Sequence, residues 1–328
     1  MGMVPDPGSD RDDLRDRHPQ LRHSRPMTFN PVPLLASHGL LPERAWVEVM
    51  PLWGGFWNDV MRVRSEERDL VVKHYGARSE GWSLFPIVPE VEARAMALLQ
   101  GRSIAPEFEA FWPAVAGEHG PVLVYCFAQG SPGATDLKRL GQLLRQVHTI
   151  PADGFRQTPV NAREILADAD RLDDPSDGNK IWMALQALRP PLPDDEPDAA
   201  RVFLHGDFGS GNVVSGPDGP CIIDWQCPAL GDAAEDLWSF LSPAFQAVYG
   251  EKAWTTEQVE AFHAGYDDDA ARRRLAFIGP FFTWRYVKYA LRRSEDLAAD
   301  DPAAAGLYRA AAEAGLDDLE RSQASTPS

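Results

Sequence analysis

The chain has 328 residues, 44% hydrophobic and 25% charged, so it is long enough for one large domain or for two lobes with separate cores. Its formal charge of −17 repels a phosphate backbone and argues against nucleic acid as a partner. No apolar run is long enough for a membrane span and no signal-peptide pattern occurs, so we expect a cytoplasmic protein without a membrane partner. The three cysteines lack a Cys-x-x-Cys pair, so we expect neither a disulfide scaffold nor structural zinc.

The first 26 residues are charged, rich in Pro and Arg, and nearly without apolar side chains. Such a segment cannot bury enough surface to fold, so residues 1–26 are predicted to be a disordered extension. A more ordinary sequence begins at Met27, and the sequence leaves open whether Met1 or Met27 is the true start.

A small antiparallel sheet is predicted between Trp46 and Tyr75, where strand-like runs alternate with glycine and polar turns. A helix follows in PEVEARAMALLQG, with Pro89 in its first turn. The apolar run 121–127 is predicted to be a further strand. We therefore assign residues 27–130 to an N-terminal, nucleotide-binding lobe with a small sheet and a helix.

The sequence beyond Gly130 has mainly helical patterns. A first apolar stripe at helical spacing consists of Leu137, Leu140, Leu143, Leu144 and Val147. One strand pair interrupts the helices, because the turn GPDG lies between NVVS and CIID and predicts a hairpin. Residues 131–318 are assigned to a larger helical lobe and residues 319–328 to a disordered tail. The expected fold class is α+β, with a ligand-binding cleft between the two lobes.

Three oxygen-bearing side chains converge on this hairpin. Asn212 and Asp224 should lie almost opposite each other at its open end, where cross-strand Cβ atoms are about 5 Å apart, and Asp207 enters from the preceding loop. Two carboxylates and an amide so close together repel in an ordinary core, so we expect a cation among them. Oxygen ligands of this kind suit Mg²⁺ together with a phosphoryl donor. The spacing from Asp207 to Asn212 is also that of a kinase catalytic loop.

The motifs HGDFGSGN, IIDW and LGDAAEDLW, in this order, resemble those of the aminoglycoside phosphotransferase and choline kinase superfamily. The resemblance covers roughly residues 46–290. It implies a bilobal protein-kinase-like fold and an enzyme that uses ATP and Mg²⁺ to phosphorylate a hydroxyl group of a small molecule. The sequence leaves open whether ATP or GTP is preferred.

The resemblance also implies roles for individual residues. It makes Asp207 the catalytic base that positions the acceptor hydroxyl, and Asn212 and Asp224 the metal ligands. His205, Asp232 and Asp236 are expected to hold the catalytic loop in place without contacting the substrate. Asp232, with Glu235 three residues later, also fits a capping-box-like helix N-terminus, which is the reading we favour for it.

Lys73, in LVVKHY, takes the position of the strand lysine that holds the α- and β-phosphates in such kinases, although an exposed edge lysine would give the same pattern. Its partner on the following helix is Glu90 or Glu92. Glu92 shares a helical face with Met96 and Leu99, so we expect it to point inward and to pair with Lys73.

Two further segments are expected to meet the nucleotide. Backbone groups from Tyr125 to Phe127 would bind adenine, and Gly54 and Gly55 would approach the phosphates. The turn around these glycines has neither a GxGxxG nor a GxxxxGK[ST] loop, so its role depends on position and on two glycines alone. Its GGxxN pattern resembles the choline kinase side of the superfamily.

The candidates for the acceptor pocket are Trp225, Asp267, Trp284 and Arg285. The tryptophans and the aspartate can attract a cation, and Arg285 is the alternative to Trp284 on an aromatic stripe at helical spacing. Aromatic faces bind cations, and an acidic run that begins near Asp267 could meet the ammonium groups of an aminoglycoside. Each pattern also has a purely structural explanation. An aromatic stripe at helical spacing can belong to a core, and an acidic run can form a solvated loop between helices. We favour a small cationic alcohol such as choline or thiamine over an aminoglycoside; a neutral sugar or a homoserine-type alcohol stays open.

Two other classes of function remain to be weighed. A pseudokinase would bind nucleotide without turnover, but Lys73, Asp207, Asn212 and Asp224 are all present. A metal-dependent phosphohydrolase needs a larger Asp and His cluster than this chain offers. A protein substrate is disfavoured, because the stretch from Asp224 to Asp232 is too short for a protein-kinase activation loop. Monomer and homodimer are both compatible with the sequence.

Overall fold

The structure is a computed structural model that describes most of the chain, in the ranges 29–42, 46–52, 58–76, 84–196 and 199–324. An antiparallel sheet forms its N-terminal part and helices dominate its C-terminal part, which confirms the predicted α+β class. The predicted disordered extension, residues 1–26, lies outside the described residues.

Five antiparallel strands form the N-terminal sheet in the order β1-β2-β3-β5-β4, and they are β1 (Glu48–Pro51), β2 (Asp59–Arg64), β3 (Asp69–His74), β4 (Phe108–Trp112) and β5 (Val122–Cys126). Side chains alternate between the two faces of the central strand β3. Leu70 and Val72 pack toward helix α1 (Val32–Ser37) on the outer face, whereas Val71 belongs to the core on the other side. Lys73 shares the face of Val71, so the alternation directs it inward.

Helix α2 (Pro89–Leu99) lies beside the sheet, as predicted from its sequence. Pro89 occupies the start of the helix, where its missing N–H would have no intrahelical partner. The predicted orientation of the two glutamates is confirmed, because Glu92 is buried while Glu90 is exposed. The helix therefore presents one carboxylate to the inner face of the sheet.

The C-terminal part contains eight helices among its described residues, and they are α3 (Leu137–His148), α4 (Ala162–Asp170), α5 (Lys180–Ala187), α6 (Ala233–Leu241), α7 (Pro243–Val248), α8 (Thr256–Tyr266), α9 (Asp269–Leu297) and α10 (Pro302–Ala324). The leucine stripe of α3 is buried as expected. Asp136 caps this helix, because its side chain accepts a hydrogen bond from the Arg139 N–H at 3.0 Å. No helix in the described ranges has the length and apolar character to cross a bilayer.

Two small sheets connect these helices. One contains β6 (Ser131–Pro132), β9 (Val213–Gly216) and β10 (Gly219–Ile222), and the other contains β7 (Arg156–Gln157), β8 (Arg201–Leu204) and β11 (Ala229–Asp232). Strand β6, in the linker between the two parts, pairs with β9 of the hairpin β9-β10. Gly130 precedes this pairing with φ of +145°, and a Cβ there would lie 2.4 Å from the Ser215 carbonyl oxygen, so only glycine fits.

The C-terminal end differs from the sequence prediction. Residues 319–324, which we assigned to a disordered tail, continue helix α10 to Ala324. The helix extends because its apolar side packs on α9, and Leu319 is buried. Residues 325–328 lie outside the described residues, and the proposed boundaries of the two lobes stay predictions.

Candidate active site

The hairpin β9-β10 and the loop before it hold the predicted catalytic residues. Val213 pairs with Ile222, and the Ile223 N–H donates to the Asn212 carbonyl oxygen at 2.9 Å, so Asn212 lies across from the residue next to Asp224. The Asn212 side-chain amide donates to the Asp207 carbonyl oxygen at 2.8 Å and lies 3.5 Å from Oδ2 of its carboxylate. Asn212 and Asp207 therefore meet at the open end of the hairpin, and Asp224 follows the residue that lies across from Asn212.

Lys73 links the sheet to this hairpin. Its Nζ lies 2.9 Å from both carboxylate oxygens of Glu92 and 2.5 Å from Oδ1 of Asp224. Only 2% of Lys73 is exposed, so it is not the edge lysine that its sequence also allowed. The expected pairing with Glu92 is confirmed, while the nucleotide-binding role of both residues stays a prediction.

The charge on Lys73 is stabilised by its two carboxylate partners. Burial lowers the pKa of Lys73, but the charges of Asp224 and Glu92 outweigh it, and the net effect is a raised pKa. Burial raises the pKa of Glu92, against the opposing effect of Lys73, and the Tyr75 hydroxyl donates to Glu92 at 2.5 Å. A lysine that stays charged between two carboxylates can bind phosphate oxygens when a nucleotide enters.

Asp224 has a backbone conformation that is uncommon for residues other than glycine, although aspartate adopts it more often than most. Its φ is +60°, in the left-handed region, which costs on the order of 1–2 kcal/mol for a residue with a Cβ. Such strain persists only where the surrounding structure enforces it, and it is concentrated at functional sites. The contacts of the adjoining strand and of Lys73 enforce it here.

Asp207 has the electrostatic setting of a general base. Its removal from water and the nearby charge of Asp224 raise its pKa to about 7, although hydrogen bonds from Gln226 and Asn212 act in the opposite direction. A carboxyl with a pKa near neutrality can accept a proton at the pH at which an enzyme works. The arrangement can therefore take a proton from a hydroxyl group placed beside Asp207.

Asp236 supports the backbone of the catalytic loop. Its carboxylate accepts hydrogen bonds from the His205 N–H at 2.8 Å and the Gly206 N–H at 2.9 Å, and it lies 3.1 Å from Nε2 of His148. His205 adds a second support, because its Nε2 donates to the Ile223 carbonyl oxygen at 3.0 Å. Both residues are fully buried and hold the segment just before the proposed base.

Asp232 is a helix cap. Its Oδ1 accepts from the Ala234 N–H at 2.9 Å, and its Oδ2 accepts from Nε of Arg274 at 2.7 Å. Glu235, whose spacing predicted the second half of a capping box, pairs with Arg285 instead. The helix N-terminus is thus confirmed, while the predicted support of the catalytic loop by Asp232 stays a prediction.

Gln226 belongs to the same network, although no motif in the sequence marks it. Its Oε1 accepts from Nδ2 of Asn58 at 3.4 Å and lies 3.5 Å from Nζ of Lys73, and its side chain forms a hydrogen bond with Asp207. No local signal marks Gln226, because its contacts with Asn58 and Lys73 join segments that are far apart in the chain.

The predicted nucleotide-contacting segments are only partly described. Gly54 and Gly55 lie outside the described residues. The Cys126 N–H donates to the Glu107 carbonyl oxygen at 2.8 Å and the Phe127 N–H to the Asp69 carbonyl oxygen at 2.9 Å. These two donors are therefore used within the N-terminal part, and the binding of adenine by backbone groups from Tyr125 to Phe127 stays a prediction for the other groups. Tyr125 is buried at the end of β5.

Both tryptophans predicted for the acceptor pocket lie in cores, so that prediction is wrong for each of them. Trp225 is 0% exposed, stacks on Phe203, and donates from Nε1 to the Ile222 carbonyl oxygen at 2.9 Å. Trp284 is 2% exposed and donates to the Leu185 carbonyl oxygen at 2.9 Å. A large aromatic side chain with a satisfied N–H stabilises a core, which explains the pattern without a ligand.

Of the other two candidates for the acceptor pocket, Asp267 lies on the surface and Arg285 lies at a cavity. Asp267 is exposed and ends helix α8 with φ of +51°, while the next residue, Asp268, caps α9 and pairs with Arg145 at 2.8 Å. The acidic run therefore connects two helices, which is the structural alternative that the sequence allowed. Arg285 is 3% exposed and lines a cavity beside Gly206, one residue before Asp207.

Asn212 and Asp224 fit a magnesium ion. The Asn212 amide nitrogen is engaged by the Asp207 carbonyl oxygen, which leaves Oδ1 of Asn212 as its ligand atom. With the Asp224 carboxylate this gives two oxygen-donating side chains, a set typical of Mg²⁺ when phosphate and water complete its shell. Lys73 on Asp224 Oδ1 is compatible with this role, because a carboxylate has a second oxygen.

The comparison with protein families decides the class of the chain. The profile of the phosphotransferase enzyme family (APH) matches residues 48–278, which is more than half of the chain. The chain belongs to this family. It is a phosphotransferase, as the sequence motifs predicted. A comparison with curated proteins gave no match.

Solved structures share the fold at low sequence identity. A spectinomycin phosphotransferase in complex with ADP and spectinomycin is 16% identical, with a TM-score of 0.60 over 90% of this chain and 100% of that chain. A choline/ethanolamine kinase family protein from Mesorhizobium loti is 21% identical, with a TM-score of 0.59 over 89% of this chain and 93% of that one. A choline kinase from Streptococcus pneumoniae is 17% identical, with a TM-score of 0.60 over 87% and 97%. These likenesses confirm the fold of aminoglycoside phosphotransferases and choline kinases.

Proposed function

We propose that this phosphotransferase transfers the γ-phosphate of ATP to a hydroxyl group of a small cationic alcohol. The observation that carries the proposal is the single network that connects Lys73, Asp207 and Asp224. It combines a fixed cation for the phosphates, a carboxylate for the metal and a second carboxylate for the acceptor. Structures of the same fold with ADP and with AMP support an adenine nucleotide as the donor.

Asp207 is the proposed base for the transfer. The acceptor hydroxyl oxygen forms a bond to the γ-phosphorus while the bond from that phosphorus to the β–γ bridging oxygen breaks, and ADP leaves. The hydroxyl proton passes to the Asp207 carboxylate, whose pKa of about 7 suits this step. Hydrogen bonds from Asn212 and Gln226 orient the carboxylate.

Asn212 and Asp224 would hold Mg²⁺, which supplies neutralisation of the phosphate charge when it is bound. The hairpin register keeps these two ligands together, and Lys73 approaches Asp224 from the sheet. Glu92 keeps Lys73 in place from the opposite side. The chain itself therefore positions the phosphates between its two parts and leaves Asp207 to the acceptor.

The charge around Asp207 favours a cationic acceptor. Before metal and nucleotide bind, Lys73, Glu92 and Asp224 carry one net negative charge, and ionised Asp207 adds another. A site with net negative charge repels an anionic acceptor. A cation, in contrast, lowers the electrostatic free energy of the site.

Aromatic rings next to the catalytic loop also favour a cation. The ring of Tyr249 covers the loop, because a Cβ at Gly209 or Gly211 would lie 2.8 or 2.9 Å from it. Burial raises the pKa values of both Tyr249 and Tyr286, and the charge of Asp207 adds to the rise, after that of Tyr308 in the case of Tyr286, so the charge of the base reaches both side chains. A cation over such a ring gains about 0.5–2 kcal/mol.

An aminoglycoside is the second candidate acceptor. The observation in its favour is the fold shared with the spectinomycin phosphotransferase over 90% of this chain. The same catalytic network would serve either acceptor, because both present a hydroxyl group on a cationic molecule. The two acceptors differ in size, so an assay that offers both kinds of acceptor separates the two proposals.

The test is the release of ADP from the purified protein with MgATP and one acceptor at a time. The acceptors are choline, ethanolamine, thiamine, homoserine, simple sugars and several aminoglycosides. We expect turnover with a small cationic alcohol and background rates with sugars and with the Asp207→Asn variant. Turnover with aminoglycosides alone would replace the proposal by its alternative. MgATP binding without turnover across the panel would contradict both and leave an acceptor outside the panel or a nucleotide-binding pseudokinase.

A further inference from the structure

Tyr75 contacts both members of the buried ion pair between the sheet and helix α2. Its hydroxyl group donates to Oε2 of Glu92 at 2.5 Å, and Nζ of Lys73 lies 5.5 Å from the centre of its ring. A cation this close to an aromatic ring is attracted to it. One side chain therefore orients the carboxylate through its hydroxyl group and borders the ammonium group with its ring.

The strand places Tyr75 on the same side of the sheet as Lys73. Tyr75 directly follows β3, and its N–H donates to the Pro121 carbonyl oxygen at 2.9 Å, so the antiparallel pairing of β3 with β5 continues by one residue. Side chains two residues apart on extended backbone point to the same face of a sheet. Tyr75 and Lys73 therefore meet Glu92 from neighbouring positions on that face.

The ring of Tyr75 is fixed by its surroundings. Only 2% of the residue is exposed, and it belongs to the same apolar core as Met96 and Leu99 of helix α2. Burial and the charge of Glu92 raise the pKa of Tyr75, so its hydroxyl group keeps its proton and stays a donor at neutral pH. The position of this donor is thus set by the packing of the sheet against the helix.

Glu92 depends on this donor because its carboxylate is shielded from water. The residue is 1% exposed, and within the described residues two side chains donate to it, those of Lys73 and Tyr75. Lys73 also donates to Asp224, and the phosphate oxygens of a nucleotide would compete for the same ammonium group. A hydroxyl group has a single proton to donate, and that of Tyr75 is directed at Glu92. Tyr75 can therefore hold Glu92 in place while Lys73 serves the nucleotide.

We propose that Tyr75 is a positioning residue for the nucleotide: its hydroxyl group fixes Glu92, and through Glu92 it fixes the ammonium group of Lys73 against the phosphates. The inference rests on the proposed role of Lys73 in nucleotide binding. Tyr75 acts by limiting the movement of its two neighbours, and not by a contact of its own with the phosphates. Loss of its hydroxyl group should therefore weaken nucleotide binding and leave acceptor binding unchanged.

The test is Tyr75→Phe in the full-length protein, which removes one hydroxyl group and keeps the ring. Hydrogen bonds to charged groups are among the stronger ones in proteins, so we expect the Kd of MgATP, measured by calorimetry without acceptor, to rise about tenfold. The KM of MgATP in the ADP-release assay should rise to the same extent, whereas the KM of the acceptor at saturating MgATP should stay within about twofold. An unchanged Kd would overturn the inference.

A matched control separates positioning from stability. Tyr266→Phe also removes a buried tyrosine hydroxyl group, one that lies 2.7 Å from Nδ1 of His148 in the C-terminal part. Both variants should lower the midpoint of urea unfolding, because each leaves a buried polar group with one partner fewer. Only Tyr75→Phe should weaken MgATP binding. Equal MgATP affinities in the two variants would show that the Tyr75 hydroxyl group serves stability alone and would contradict the inference.

A double-mutant cycle tests whether the effect passes through Glu92. Glu92→Met removes the acceptor of the hydroxyl group and keeps an unbranched side chain of similar length. In that background Tyr75→Phe should change the Kd of MgATP by less than about twofold, since no carboxylate is left for the hydroxyl group to hold. A tenfold effect in both backgrounds would show that Tyr75 acts independently of Glu92 and overturn the inference. If Glu92→Met fails to fold, the comparison of Tyr75→Phe with Tyr266→Phe still decides the question.

Lys73→Met distinguishes this inference from the proposed role on which it rests. We expect this variant to weaken MgATP binding by about tenfold or more, because it removes the cation for the phosphates. If its MgATP affinity equals that of the wild type, the proposed role of Lys73 is wrong and the inference falls with it. If Lys73→Met weakens binding while Tyr75→Phe does not, the role of Lys73 stands and only that of Tyr75 is refuted.

Discussion

Asp236→Asn removes one negative charge from a buried position and keeps the size of the side chain. In the wild-type protein both carboxylate oxygens of Asp236 accept backbone hydrogen bonds, from His205 at 2.8 Å and from Gly206 at 2.9 Å. An asparagine side chain can accept at one oxygen only, and its NH₂ group must then face a backbone donor. The substitution therefore breaks one bond and weakens the other.

The expected loss follows from these two bonds. A hydrogen bond to a charged group contributes about 1.5–3 kcal/mol, so we expect the free energy of unfolding to fall by about 3 kcal/mol. Turnover should fall by at least about tenfold, because the two donors belong to the residues directly before Asp207 and a small displacement of a base is costly.

Urea unfolding at pH 7 measures the change in stability, and ADP release measures turnover. The matched control is Asp170→Asn, which removes a charge from a half-exposed pair with Arg189 at 2.7 Å and should cost less than about 1 kcal/mol. If Asp236→Asn costs no more than this control, or leaves turnover unchanged, Asp236 does not support the catalytic loop.

The pH dependence of the same variant provides a second check. Burial raises the pKa of Asp236, but the hydrogen bond and charge of His148 outweigh it and hold the pKa below its ordinary value of 3.8. A carboxyl with a lowered pKa in the folded state contributes stability above about pH 4, and this contribution is lost as the pH falls through the folded-state value. The stability difference between wild type and Asp236→Asn should therefore shrink below about pH 4, and a constant difference would contradict the reasoning.

Three further predictions concern the catalytic loop. Asp207→Ala should abolish ADP release and leave MgATP affinity within about threefold by calorimetry, because Asp207 serves the acceptor; a large loss of affinity would contradict its role. Asp224→Ala should weaken MgATP binding by about tenfold or more, and unchanged affinity would place the metal elsewhere. Since removal from water and the charge of Asp224 raise the pKa of Asp207 to about 7, kcat/KM should fall about tenfold per pH unit below that value as the base is protonated. A flat profile from pH 5 to 8 would exclude Asp207 as the base.

Much of the catalytic site could be predicted because its parts are local in sequence. Asp207, Asn212 and Asp224 belong to one loop and one hairpin, so turn chemistry and strand register were enough to bring them together. Glu92 could be chosen over Glu90 from helical periodicity alone, because a helix with one apolar face can bury only the residues on that face.

The acceptor side could not be predicted in the same way. Trp225 and Trp284 are aromatic residues near motifs, and a sequence pattern does not distinguish a ring in a core from a ring in a pocket. Gln226 escaped notice because its contacts with Asn58 and Lys73 join segments far apart in the chain. Helix α10 also extends past the expected end because of packing on α9, which local composition does not report.

The sequence by itself determined the family and the α+β class, and it brought the predicted base, Asp207, together with the predicted metal ligands, Asn212 and Asp224, because each depends on residue types at fixed spacing within short segments. Only the tertiary structure decided that Lys73 bridges Glu92 and Asp224, that Asp236 holds the loop before Asp207, and that Glu235 and Arg285 meet at a cavity beside it. These contacts join elements from distant parts of the chain, and their geometry is set by the packing of whole helices and sheets.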